Sequence, residues 1–155
     1  MRLTRQTNYA IRMLMYCAAN DGKLSRVATI ADAYRVSDLF LFKILQPLVE
    51  AGFMETVRGR NGGIRLGVPA TAISLLDVVK TTEDNFAMAE CFEDDGADCP
   101  LIGSCALNGA LREALNAFFT VLAGYTIADL VEPNPMLGPL LGIDMTVPSP
   151  TAPIA

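Results

Sequence analysis

Apolar positions along the first fifty residues fall at helical intervals in three separate runs. In TRQTNYAIRMLMYCAAN the residues Tyr9, Ile11, Leu14, Met15 and Ala18 repeat at helical spacing, Thr4 or Thr7 stands where a cap is needed, and NDG at 20–22 is a stop signal. A shorter periodic run, RVATIADAYRV, follows. Ser37 is then placed to cap a third helix, DLFLFKILQPLVEA, which should end at Gly52. Pro47 lies inside that helix, where it removes one backbone hydrogen bond and is expected to kink or loosen the last turn. The tight connection between the second and third runs predicts a helix-turn-helix.

Beyond Gly52 the period changes. FMETVRG and IRLGV are short runs of strand-forming residues on either side of RNGG, the pattern of a β-hairpin, so residues 1–70 read as a winged helix. A fourth helix is expected over Ile73–Thr82, followed by a cysteine-rich loop, and residues 71–106 form this linking segment. Leu107, Leu111, Leu115, Phe118, Leu122 and Tyr125 recur at steps of three and four, predicting one helix of more than twenty residues within 107–131. A seam of that length usually meets a partner. Residues 132–155 hold six of the nine prolines and no helical or strand period, so a disordered or loosely docked end is expected. The fold class is therefore mainly α: a winged helix-turn-helix with a small β-hairpin wing and a long C-terminal dimerisation helix.

Composition narrows what such a fold can do. The 155 residues are 52% hydrophobic and 19% charged, which excludes a disordered chain. No apolar run reaches the roughly 18 to 20 residues of a membrane span, and Arg12 interrupts the only stretch resembling a signal peptide, so the expectation is a cytoplasmic protein without a membrane partner. The net charge of -5 conceals a division: residues 1–70 carry ten Lys and Arg against five Asp and Glu, whereas residues 71–155 carry two against twelve. The basic half is the candidate for a polyanion, double-stranded DNA. On a recognition helix the base readers would be Ser37, Asp38 and Lys43. Arg58, Arg60 and Asn61 on the glycine-rich wing tip suit a minor groove, and Arg2, Arg5 and Arg12 on the first helix would face phosphates. Of Phe40 and Phe42, one should be core and the other should meet sugar, a thymine methyl or the inner face of the domain.

The acidic half contains the other chemistry. CFEDDGADCPLIGSC, residues 91–105, places Cys91, Cys99 and Cys105 at C-x7-C-x5-C spacing, whereas Cys17 lies in the apolar face of the first helix and reads as an inert small hydrophobe. Four cysteines in a cytoplasmic chain argue for metal or redox chemistry over disulfides. Cys105 falls at the start of the long helix, where the backbone dipole favours an anionic sulfur. Zinc normally takes four ligands at closer spacing, and this chain has no histidine. Iron-sulfur clusters are held by thiolates and tolerate another donor at one iron. A zinc site and a thiol or disulfide switch remain the alternatives. The carboxylates of Glu90, Glu93, Asp94, Asp95 and Asp98 could supply an oxygen ligand, yet together they repel an anionic cluster.

Taken together, MRLTRQTNYAIRML, GFMETVRGRNGGIRL, ISLLDVVKTTE and the three-cysteine loop before a long helix resemble the winged-helix iron-sulfur transcription regulators of the IscR, NsrR and RirA family. The resemblance covers residues 1 to about 131. It implies a homodimer through the long helix, a cluster held by Cys91, Cys99 and Cys105 in each subunit, and DNA affinity that follows cluster state. Ser37, Arg58, Gly59, Gly62 and Gly63 match the family's DNA-meeting helix and wing. For the fourth ligand, the IscR-like branch has a histidine where this chain has Asn108, and the NsrR-like branch uses an aspartate on the partner subunit's first helix, where this chain has Asn8. Its three cysteines and wide first spacing look closest to the RirA-like branch. That branch implies an iron-responsive repressor of iron-uptake genes with a labile [4Fe-4S] cluster, its fourth iron held by solvent, by a thiol from solution, or by Asp94, Asp95 or Asp98. A nitric oxide or redox-responsive regulator is the nearer alternative, and an electron-transfer iron-sulfur protein the more distant one.

Overall fold

Thr4 opens the first helix by accepting a hydrogen bond from the Thr7 amide at 3.2 Å, and the chain then runs as α1 from Arg5 to Ala19. The computed structural model describes residues 2–20, 23–92, 99–101 and 104–143. Helix α1 is the centre of the molecule: α3, β2, α4, α6 and α7 all pack against it. Its fully buried positions include Thr7, Ala10, Met13, Leu14 and Cys17, so the buried face is turned from the expected one; Tyr9, Ile11, Met15 and Ala18 are only partly covered. A helix contacted on several sides buries more than one stripe, and small or weakly polar residues such as Ala10 and Thr7 then become core.

The helix-turn-helix follows as expected. Helix α2 spans Val27–Tyr34, and α3 spans Asp38–Glu50 with Ser37 capping it by accepting from the Phe40 amide. The turn is made by Arg35, whose φ of 54° is left-handed and unusual for a residue with a side chain. Leu41, Ile44, Leu45 and Leu48 of α3 enter the core. The helix continues through Pro47 for three more residues, and the Pro47 carbonyl accepts from the Ala51 amide at 3.0 Å, so the expected loosening of the last turn does not occur. Gly52 ends it with a φ of 77°, as the sequence indicates.

The wing is a two-stranded antiparallel hairpin, β1 Met54–Val57 and β2 Gly63–Leu66, with Met54 opposite Leu66 and Val57 opposite Gly63. Ser25 adds a bridge on the other side of β2: its amide donates to the Ile64 carbonyl at 2.9 Å, and the Ile64 amide donates back at 2.8 Å. That approach requires glycine at 63, where a Cβ would lie 2.6 Å from the Ser25 carbonyl oxygen. Met54 and Ile64 point into the core, while Glu55 and Arg65 pair across the exposed face.

After a short 3-10 turn at Ala70–Ala72, α4 covers Leu75–Thr82 and α5 covers Ala106–Ala123. Helix α5 is shorter than the seam suggests. Tyr125 lies beyond it, because Thr126 and Asp129 form a capping box that starts a separate helix, α6, Ile127–Val131. The Ile127 amide donates to the Ile73 carbonyl at 3.0 Å, and Ile73 and Ile127 are both fully buried in the same core as α1. The chain expected to be loose from residue 132 is docked as far as Ile143: α7 spans Leu137–Leu140, and Ile143 is buried. Residues 144–155 lie outside the described residues. No helix among the described residues is long and apolar enough to cross a membrane.

Cys17 is a core thiol, as its place in α1 suggests. Burial pushes its pKa from 9.0 to about 12, with a smaller opposing contribution from the Ser25 hydroxyl. The unfolded chain therefore releases this proton at lower pH than the folded one, so the Cys17 contribution to stability is intact below about pH 9 and is lost as pH rises towards 12. Urea unfolding followed across that window should show a falling midpoint, and Cys17→Ala should make the fall shallower.

Candidate DNA-binding face and cysteine cavity

The outer surface of α1, the start of α3 and the wing carry the candidate DNA-binding residues. Ser37, Asp38 and Lys43 are all exposed. The Ser37 hydroxyl oxygen is engaged as the helix cap, leaving its O–H to donate, and Asp38 Oδ1 accepts from the Leu39 amide at 2.8 Å. The two phenylalanines separate: Phe40 is half-buried with its ring 5.4 Å from Tyr9, and Phe42 is 51% exposed. Leu39, 72% exposed, joins Phe42 as a large apolar side chain on the exposed side of α3. Arg58, Arg60 and Asn61 are exposed at the tip of the wing. Gly59, with a φ of 112°, turns the tip, and its carbonyl accepts from the Gly62 amide at 2.9 Å.

Arg2 and Arg5 are exposed, and Arg5 is fixed in a ladder of rings and guanidinium groups. Arg5 stands 4.9 Å from the Phe40 ring and 5.5 Å from Tyr9, and Arg12 stands 4.9 Å from Tyr9 and 5.6 Å from Tyr34. The Tyr34 hydroxyl donates to the Arg12 carbonyl at 3.1 Å. Each cation-ring interaction contributes about 0.5–1 kcal/mol at exposed sites, so the ladder restrains two cations on the outer surface of α1 beside the recognition helix. Charge in the sequence marks the arginines but not the rungs, although Arg5–Tyr9 and Tyr9–Arg12 stand at the i,i+4 and i,i+3 spacings that bring helix side chains together. Arg26 is likewise unmarked by any motif; it lines a groove with Asp38, Phe42, Val57 and Gly62 between α2, α3 and the wing.

On the other side of the chain, Cys91, Cys99 and Cys105 line a single cavity of about 420 Å³, together with Ser104, Asn108 and Arg112. Cys91 lies in a 3-10 turn, Glu90–Phe92, whose Phe92 amide donates to the Ala89 carbonyl at 2.9 Å. Cys105 is the N-cap of α5, as expected, and no side chain caps that helix. All three thiols are free and partly exposed. Among the described residues, no three His, Cys, Asp or Glu side chains are gathered tightly enough to hold a single metal ion. The sulfurs border a space and do not converge on a point. Of the candidate fourth ligands, Asn108 lines the cavity and donates from Nδ2 to Cys91 Sγ at 3.0 Å. Asn8 is exposed on α1 and does not line the cavity of its own chain, the expectation for it being a contact across a dimer, and Asp94, Asp95 and Asp98 lie outside the described residues. Glu90 is exposed. Arg112, which no sequence motif singles out, donates from Nε to Asn108 Oδ1 at 2.8 Å and lies 4.8 Å from the Phe92 ring.

A hydrogen-bonded joint ties α4, which leads into the cysteine loop, to the first turn of α1. Glu83 Oε1 accepts from the Thr4 amide at 2.7 Å and from the Thr7 hydroxyl at 2.6 Å. The Thr82 hydroxyl donates to Thr7 Oγ1 at 2.8 Å. A carboxylate at the N-terminus of α1 is also favoured by the helix dipole. Arg5 of the ladder therefore sits one residue from a joint whose other half is the last residue of α4 and its C-cap.

A helix-turn-helix carrying a hairpin wing on a helical core defines a winged-helix DNA-binding transcription regulator. Residues 3–133 match the family described as Rrf2, iron-dependent transcriptional regulator, and the chain belongs to that family. It is similar to Protein aau3 of Rhizobium meliloti (strain 1021), 69% identical over 147 residues covering 95% of this chain and 96% of that one. It is 42% identical over 133 residues to the HTH-type transcriptional regulator NsrR of Bacillus subtilis (strain 168), covering 85% and 91%. Among solved structures, the oxidised form of Staphylococcus aureus CymR aligns with a TM-score of 0.69 at 27% identity, covering 85% of this chain and 97% of that one. T. potens IscR aligns with the same TM-score at 18% identity, covering 86% and 88%, a likeness of fold. The protein is a transcription regulator and not an enzyme.

Arg60 tests the wing. Replacing it with Ala should weaken DNA binding and reduce the magnitude of the log-log salt slope by about 0.9 for each phosphate it neutralises. Arg65→Ala, which removes the partner of Glu55 on the hairpin's exposed face, should leave the slope unchanged. Equal slopes for Arg60→Ala and the unmodified protein would remove the tip from the interface.

Proposed function

We propose that this protein is an iron-responsive transcriptional repressor of iron-uptake genes that acts as a homodimer in the cytoplasm and binds a double-stranded DNA operator when its cysteine cavity holds a labile [4Fe-4S] cluster. The observation that carries the reading is the gathering of Cys91, Cys99 and Cys105 around one cavity, on a chain whose opposite half presents an exposed basic face. Three thiolates around a space fit a polynuclear centre better than a single zinc ion, which needs four donors converging at about 2.0–2.3 Å. The family's description as iron-dependent and the missing protein ligands at Asn8 and Asn108 support iron availability as the signal.

When bound, the cluster supplies a cross-link between the 3-10 turn holding Cys91, the segment holding Cys99, and the N-terminus of α5. The remaining parts of the switch are the chain's own. Cys105 fixes the start of α5, Glu83 couples the end of α4 to Thr4 and Thr7, and α1 carries Arg5 and Arg12 beside the recognition helix. The exposed face of α5 supports the dimer: none of its eighteen residues is fully buried, and Leu107 and Val121 are 65% and 59% exposed. A symmetric pair would set the distance between two recognition helices and hence the half-site spacing. A nitric oxide-responsive regulator is the second reading, favoured by the 42% identity to the B. subtilis NsrR protein.

Anaerobic purification followed by iron, sulfide and zinc analysis, with DNA binding measured before and after chelation, tests the proposal. Iron and sulfide in cluster proportion, with DNA affinity lost on chelation, is the expected result. Stoichiometric zinc without sulfide would select the zinc site, and DNA affinity that responds to nitric oxide but not to chelation would select the second reading.

A further inference from the structure

Asn108 occupies the position from which a protein side chain would complete the cluster's ligand set, yet its two polar atoms are both engaged. The orientation of the amide follows from its neighbours. Arg112 Nε carries a hydrogen and no lone pair, so the Asn108 atom 2.8 Å from it must be the oxygen. The NH2 group is then the atom 3.0 Å from Cys91 Sγ, with a hydrogen directed at sulfur. Asn108 therefore turns its N–H group, not a lone pair, toward Cys91, while its oxygen already accepts from Arg112.

Arg112 is held from both sides. One turn separates it from Asn108 on α5, and the Phe92 ring lies 4.8 Å from its guanidinium carbon. Residues 71–155 contain only two basic side chains, Lys80 and Arg112. Lys80 stands over Phe119, at 5.7 Å, and does not line the cavity. Arg112 is thus the single cation among the described residues that border the three thiols, in a half of the chain carrying twelve carboxylates.

Building on the iron-sulfur reading, we infer that Asn108 is not an iron ligand but a relay, holding Arg112 at the cysteine cavity while its own N–H bonds to the Cys91 sulfur. Both effects act on a cluster held by these cysteines. A hydrogen bond to a ligating sulfur lowers its electron density and raises the reduction potential, and a fixed guanidinium offsets the negative charge that ligating thiolates accumulate. Asn108 and Arg112 are positioning residues for the cluster, and the fourth site is left to a donor from elsewhere.

The two roles of Asn108 predict opposite outcomes for Asn108→Asp. As a ligand, a carboxylate would bind iron more firmly than an amide, and iron loss would slow. As a relay, the substitution keeps the acceptor for Arg112 but replaces the N–H facing Cys91 with an anionic oxygen, so iron loss should quicken. The test uses the full chain, purified anaerobically, with the rate of iron loss to EDTA followed by the cluster absorbance and the reduction potential measured in parallel. We expect Asn108→Asp and Arg112→Gln each to shed iron about 10- to 100-fold faster, the range typical of outer-shell changes at metal sites, and to lower the potential. The double variant should be no worse than Asn108→Asp by the full Arg112→Gln factor, because the two act as one unit. Unchanged thermal unfolding of the metal-free variants would separate this from damage to the fold. Slower iron loss in Asn108→Asp, or unchanged rate and potential in both variants, overturns the inference while leaving the iron-sulfur reading intact. An unmodified protein without iron and sulfide overturns both.

Discussion

Burial of α1 on several sides is the constraint on which the rest of the molecule depends. Ala10, Met13, Leu14 and Cys17 are buried against its neighbours, and α3, β2, α4, α6 and α7 each pack on it. Close-packed interiors do not deform continuously, so a change at one side of such a helix is felt at the others. The first turn adds polar restraint: Thr7 is fully buried, and its hydroxyl is tied to Glu83 and Thr82. One end of α1 is thereby joined to the segment that leads into the cysteines, and the outer face of the same helix carries the arginine ladder. No long chain of intermediates is needed between the two functional regions.

The division of charge gains a structural meaning from this arrangement. Of the ten basic residues in the first half, Arg5 and Arg12 lie on α1, Lys43 on α3 and Arg58, Arg60 and Arg65 on the wing, and the acidic second half supplies α4, the cysteine loop and α5. A regulator that was basic throughout would bind DNA through its sensor surface as well, without sequence or signal dependence. Here the acidic half restricts attraction to one face. Arg112 is the exception that clarifies the rule: among the described residues it is the one cation lining the cavity bordered by Cys91, Cys99 and Cys105.

Much of the fold is legible in the sequence because local signals and packing agree. Ser37 caps α3, Gly52 ends it, and the glycines of the wing fall where a hairpin needs them, one of them pressed against the Ser25 carbonyl. The departures have physical reasons too. The apolar seam from Leu107 to Tyr125 reads as one helix because its spacing continues across Gly124, but the Thr126–Asp129 capping box is a stronger local instruction than the seam. The docking of α7 and Ile143 is hidden by proline content: those prolines limit secondary structure, and a single buried isoleucine gives no period to detect. At the site, spacing identifies the three cysteines, yet Glu83 carries no sequence signal because its role depends on which helix ends meet in space, and the i,i+4 pair Asn108–Arg112 gains meaning only from the cavity that α5 borders.

Coupling of the cysteine cavity to the outer face of α1 through its first turn is measured directly by native-state hydrogen exchange. The Thr7 amide is bonded to Thr4 Oγ1, and the Asn8 amide to the Thr4 carbonyl, so their protection reports the state of this turn. Compared before and after anaerobic iron removal, these amides should lose protection while those of the buried α1 centre, such as Met13 and Leu14, keep theirs. Identical protection of Thr7 and Asn8 in the two states would contradict the coupling.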